Sequence, residues 1–91
     1  KKGCELNDGF GCLLAGLSYL NGNGVERSFE MAADYYDKSC QLYESNGCFH
    51  LGEAFLKGEG VKQSKERAKN YFEKACLMGS KRGCDVYKKL E

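Results

Sequence analysis

Residues 11–40, GCLLAGLSYLNGNGVERSFEMAADYYDKSC, lie over residues 47–76, GCFHLGEAFLKGEGVKQSKERAKNYFEKAC, when the chain is shifted along itself by 36 positions. The register holds without a gap. Gly16/Gly52, Leu20/Leu56, Gly22/Gly58, Gly24/Gly60, Val25/Val61, Ser28/Ser64, Ala32/Ala68, Tyr35/Tyr71 and Lys38/Lys74 are identical, as are Cys12/Cys48 and Cys40/Cys76. A fixed period of ~20–50 residues marks a repeat array, in which each unit is one supersecondary motif that buries its apolar face against its neighbours.

Each unit reads as helix, glycine loop, helix. Over roughly 11–21, Cys12, Ala15, Gly16 and Tyr19 recur at three- and four-residue steps. Cys48, Leu51, Gly52 and Phe55 do so over roughly 47–57, so one face of each first helix is predicted to pack inward. The loops GNG and GEG supply residues that accept positive φ where the chain reverses, and Ser28 and Ser64 stand where an N-cap belongs. The second helices, roughly 29–42 and 65–78, carry a stripe of small and aromatic residues: Ala32, Tyr35, Tyr36 and Ser39, then Ala68, Tyr71, Phe72 and Ala75. Alanine permits close helix approach and the rings fill the space beside it.

The cysteines repeat as well. Cys4 and Cys12, Cys40 and Cys48, and Cys76 and Cys84 are each eight positions apart. Six cysteines in a chain of 91 residues point to a disulfide framework formed in an oxidising compartment, with free structural thiols and a metal site as the competing readings. Zinc ligands usually pair about two to four residues apart and often include histidine, whereas His50 is the only histidine here, so no metal site is expected. Cys40 falls near the end of a second helix and Cys48 near the start of the next first helix, with ESNG between them. Antiparallel helices joined by so short a turn bring such positions within disulfide reach. The pairs Cys4–Cys12, Cys40–Cys48 and Cys76–Cys84 are therefore expected, one of fifteen connectivities open to six cysteines.

Charge excludes some roles. Fourteen basic residues against thirteen acidic ones leave a formal charge of +1, with the signs interspersed, which argues against nucleic acid or a membrane surface as partner. No apolar run approaches the ~20 residues of a membrane span, and the start KKGCELND has no signal-like apolar stretch.

LGEAFLKGEGVKQSKERAKNYFEKAC, the 36-residue period and the paired cysteines together resemble the Sel1-like repeats, in particular the Helicobacter-type cysteine-rich subgroup. The resemblance spans essentially the whole chain, although Leu51 has Ala15 as its counterpart. It implies an all-α solenoid of helix–turn–helix units related to tetratricopeptide repeats, a disulfide in every unit, and a secreted or periplasmic location. Residues 1–91 then form one repeat domain: 1–10 the end of a preceding repeat, since KKGC matches the tail EKAC, 11–46 and 47–82 two repeats, and 83–91 a C-terminal capping helix. Lys81, Arg82, Asp85, Lys88 and Lys89 suit a polar cap.

Functionally, the resemblance implies an adaptor whose stacked first helices form a concave face for a protein or peptide. Opposite the packed stripe lie Leu14, Leu17, Ser18 and Asn21, and one period later His50, Glu53, Ala54 and Lys57, which are the partner-binding candidates. Leu14 and Leu17, read as facing away from their own core, need cover from an upstream repeat, a neighbouring molecule or a partner. The resemblance also implies an alternative, a penicillin-binding protein or weak β-lactamase acting on β-lactams or cell-wall-like small molecules. No serine has lysine three positions later, and SDN, KTG and GxSxG are absent, so no catalytic residue is assignable and no cofactor is implied. His50 without a nucleophile nearby reads as a surface or interface side chain, and Glu53 with Lys57 as a helix-supporting pair.

Overall fold

The computed structural model describes Cys4 and residues 8–91, and the described residues form five α-helices: α1 (Gly9–Asn21), α2 (Phe29–Gln41), α3 (Ser45–Lys57), α4 (Lys65–Leu77) and α5 (Lys81–Leu90). The expected end of a preceding repeat at 1–10 lies largely outside them. Each helix packs antiparallel on the next, α1 with α2, α2 with α3, α3 with α4 and α4 with α5, while α1 touches α3 lightly. The product is an elongated slab of 37 × 24 × 15 Å.

Local chemistry sets the helix ends. Ser28 and Ser64, in extended conformation, accept hydrogen bonds from the backbone N–H of Met31 and Arg67, each satisfying a donor that the first turn leaves free. Ser80 does the same for Gly83, and Asp8 for Gly11. At the other end, Gly22 and Gly58 take the left-handed conformation, and the N–H groups of Asn23 and Glu59 reach back to the carbonyls of Ser18 and Ala54. The loop then returns to its own helix through Ser28 N–H to Tyr19 C=O at 3.0 Å and Ser64 N–H to Phe55 C=O at 2.9 Å. Equivalent positions thus make equivalent bonds one period apart.

Helices approach closely where glycine removes the side chain. A Cβ on Gly16 would sit 2.6 Å from Cε1 of Tyr36, and one on Gly52 would sit 3.1 Å from the Phe72 ring. These contacts seat the α2 and α4 aromatics in two linked cores. One gathers Leu13, Ala32, Ala33, Tyr36 and Leu51; the other gathers Cys40, Cys48, Phe49, Ala68, Phe72 and Ala75. Equivalent stacked pairs, Tyr19 on Tyr35 and Phe55 on Tyr71, both at 5.6 Å, lie beside them.

Two details differ from the sequence reading. The α2–α3 reversal occupies residues 42–44 rather than ESNG, because Tyr43 takes φ 65° and turns the chain one step early; Ser45 to Gly47 already belong to α3. Its counterpart at the next reversal is Gly79, also at positive φ. The inward face is also wider than the stripe Cys12–Ala15–Gly16–Tyr19 suggests: Leu13 is buried, whereas Ala15 and Tyr19 are half-buried.

Among the described residues, disulfides join Cys4 to Cys12, Cys40 to Cys48 and Cys76 to Cys84, with Cα atoms 4.0, 4.5 and 4.5 Å apart. The central bond is buried, at 2% and 0% exposure of its two cysteines, and ties the first repeat to the second. Cys76 and Cys84 are half-buried.

Candidate functional site

The eight candidate residues fall in three different environments. Leu14 is 48% exposed, and Asn21 and Lys57, each the last residue of its helix, are exposed as well. Leu17, by contrast, packs against the core around Leu13 and Ala33, and Ala54 is buried at 7%. Neither faces away from the core. Leu17 of α1 meets residues of α2 and α3 that converge beside it, and Ala54 is buried because α3 is covered by α2 on one side and α4 on the other, so its buried face is broader than half a helix. Ser18 is half-buried and spends its carbonyl on the N-terminal end of the glycine loop.

His50 and Glu53 form the chemically distinctive part of the strip. The imidazole lies flat on Tyr36, centroids 5.1 Å apart, and edge-on to Phe49 at 5.6 Å. Its Nδ1 is 3.2 Å from Glu53 Oε1. That hydrogen bond, helped by Lys57 and Arg82, holds the Glu53 carboxyl below the usual carboxylate range against the opposing effect of burial. Arg82 of α5 lies over the Phe49 ring, 4.4 Å from its centre. Tyr36 is 3% exposed, and its hydroxyl has no hydrogen-bond partner. Burial, then Glu53 and Glu59, push the phenol up to about 12.

Sequence reasoning missed Phe10. It is 58% exposed, one turn before Leu14 on α1, and the two widen the apolar strip at that end of the slab. The signal was available in the i,i+4 spacing.

The serine hydroxyls with resolved partners are structural. Ser28, Ser64 and Ser80 cap helices, and the fully buried Ser39 donates to the Gly9 carbonyl at 2.8 Å. His50 is committed to Glu53 and to aromatic stacking. These placements lend no support to the β-lactam alternative. Among the described residues, no cluster of metal-ligating side chains is found and no helix is long and apolar enough to cross a membrane.

The Sel1 repeat family model matches residues 10–43 and 45–80. The chain belongs to the Sel1 repeat family. Its Sel1 repeats superpose on Helicobacter pylori cysteine rich protein B with a TM-score of 0.88 and 42% identity, over 91% of this chain and 62% of that one. A Sel1 repeat protein from Oxalobacter formigenes matches with a TM-score of 0.86 at 22% identity, over 89% of this chain and 61% of that one, a likeness of fold alone. A protective antigen of uropathogenic Escherichia coli with the same repeat fold matches with a TM-score of 0.80 at 28% identity, over 82% of this chain and 16% of that one. The chain thus spans about three fifths of the length of the first two. Comparison with curated proteins finds no match.

Proposed function

We propose that the chain is an extracytoplasmic Sel1 repeat scaffold that binds a protein or peptide along the strip carried by α1 and α3. The observation that carries this reading is the pair Phe10 and Leu14, 58% and 48% exposed on one face of α1; the 36-residue period sets Leu14 in register with His50 of α3, and Glu53 and Lys57 follow His50 on that helix. An apolar patch continued by fixed polar groups is what an extended ligand needs: surface to bury and donors and acceptors to set its register. Membership of a repeat family built for such surfaces supports the reading, since stacked units bind through an extended face and not through a single deep pocket.

Three disulfides and the likeness to a cysteine-rich Helicobacter protein support a location outside the cytosol, where such bonds persist. The test is photo-crosslinking in extracts of the source organism, with benzoylphenylalanine at position 14 or 57 on the proposed strip and at 34 or 66 on the exposed faces of α2 and α4. The expected outcome is a product from 14 and 57 that excess unlabelled protein competes away, and none from 34 and 66.

A further inference from the structure

Between α2 and α3 lies a cavity of about 50 Å³, room for a water-sized head group and the carbon that bears it. Its polar lining consists of Tyr36, His50, Glu53, Lys57 and Glu59; alanines of both helices supply apolar wall. Two observations single it out. The Tyr36 hydroxyl is buried and has no partner, which is uncommon because a buried phenol normally finds one. The carboxylates that act on that hydroxyl, Glu53 and Glu59, both line the cavity, which sets the hydroxyl in a negative field.

We propose that this cavity is a slot for the ammonium head of a lysine in a bound peptide. The inference rests on the scaffold reading and names the side chain that the strip selects. An ammonium has three donors and no acceptor, matching one phenol oxygen and two carboxylates. A carboxylate or phosphate would meet Glu53 and Glu59 as like charges. His50 holds Glu53 through the 3.2 Å contact and is itself held by stacking on Tyr36, so one wall is set before a ligand arrives. Gly60 fixes Glu59: a Cβ there would collide with the Phe29 carbonyl, so only glycine lets the loop lie against the start of α2. Lys57 at the rim is the chain's own ammonium, exposed and therefore displaceable, and it competes with the ligand.

The test is a ¹H–¹⁵N NMR titration of the oxidised chain with N-acetyl-lysine methylamide and, in parallel, N-acetyl-norleucine methylamide, which keeps the alkyl stem and lacks the charge. Saturable shifts at the amides of Tyr36, His50, Glu53 and Ala54 are expected with the lysine probe, and binding of norleucine is expected to be at least about tenfold weaker. Tyr36→Phe is expected to weaken the lysine probe about tenfold without lowering the thermal midpoint, because the hydroxyl it removes has no partner in the fold. Glu59→Gln, on the half-buried loop, is expected to weaken it as well, and Lys57→Met to strengthen it. Equal response to the two probes, no response to either, or an unchanged affinity in Tyr36→Phe overturns the slot. Should the lysine probe fail while crosslinks from 14 and 57 persist, the slot falls and the scaffold stands. Should the probe bind while those crosslinks are absent, the slot stands and the larger binding strip falls.

Discussion

Tyr36 of α2 lies flat against His50 of α3, ring centroids 5.1 Å apart and planes 22° from parallel. The pair joins the two repeats. Tyr36 belongs to the core that includes Leu13 and Leu51, and His50 reaches Phe49, whose ring meets Phe72 at 5.4 Å in the other core. Four rings therefore run unbroken from one unit into the next. A residue that sequence logic places on the binding strip is also part of what holds that strip together.

The hydrogen bond from His50 makes Glu53 an acid-sensitive element. Its carboxyl titrates below its ordinary value in the fold, so the stability it contributes is present above the unfolded value of about 4.5 and is lost as pH falls through the lower folded value. Unfolding midpoints measured from pH 7 down to 2 are expected to fall less steeply below about pH 4.5 in Glu53→Gln than in the parent.

Tyr36 acts at the opposite end of the pH scale. Its phenol is pushed up from 10.0 to about 12, so the folded state holds a proton that the unfolded chain releases, and stability declines as pH rises above about 10. Tyr87 is also raised, so absorbance titration at 295 nm is expected to show more than one late phenol, one of them lost in Tyr36→Phe.

Gly24 and Gly60 occupy equivalent loop positions at φ 75° and 80°, yet a Cβ meets nothing within 4 Å at Gly24 and collides with the Phe29 backbone at Gly60. Gly24→Ala is expected to cost about 1–2 kcal/mol from the backbone conformation alone. Gly60→Ala adds a clash of about 1–3 kcal/mol. Urea unfolding of the two variants measures the difference.

Tyr43 holds φ 65° with its side chain 83% exposed, where the next reversal has Gly79. Replacing it with glycine relieves a left-handed strain of about 1–2 kcal/mol and gives back part of that through a freer unfolded chain. Tyr43→Gly is expected to raise the unfolding free energy by about 0.5–1 kcal/mol, read from the same urea curves.

Burial orders the disulfides. Cys40–Cys48 lies inside the core, whereas Cys76 and Cys84 are half-buried, so thiolate attack reaches the latter first. Timed reduction under native conditions, followed by alkylation and peptide mass analysis, is expected to label Cys76 and Cys84 before Cys40 and Cys48. Removing the central bond as Cys40→Ser with Cys48→Ser is expected to cost about 2–3 kcal/mol.

The repeat architecture was legible because a 36-residue period carries its own evidence: glycines, caps and aromatics recur together, and Ser28 and Ser64 cap where their positions predict. The strip was less so. Helical periodicity assigns one face to the core, but α3 is sandwiched between two helices, which buried Ala54 and drew His50 under Tyr36. Leu17 joined the core for the related reason that α2 and α3 converge beside it. The early turn at Tyr43 was hidden because an aromatic residue in the left-handed region goes against every local preference. Nor does any spacing rule reveal that the Tyr36 hydroxyl is buried without a partner; that follows from packing between elements alone.

Whether α1 and α3 present the binding strip is tested most directly by the photo-crosslinking yield at position 14 compared with position 66. Competable products from position 14 and background from position 66 are the predicted result. A competable product from position 66 with none from position 14 would contradict it, placing the interaction on α4.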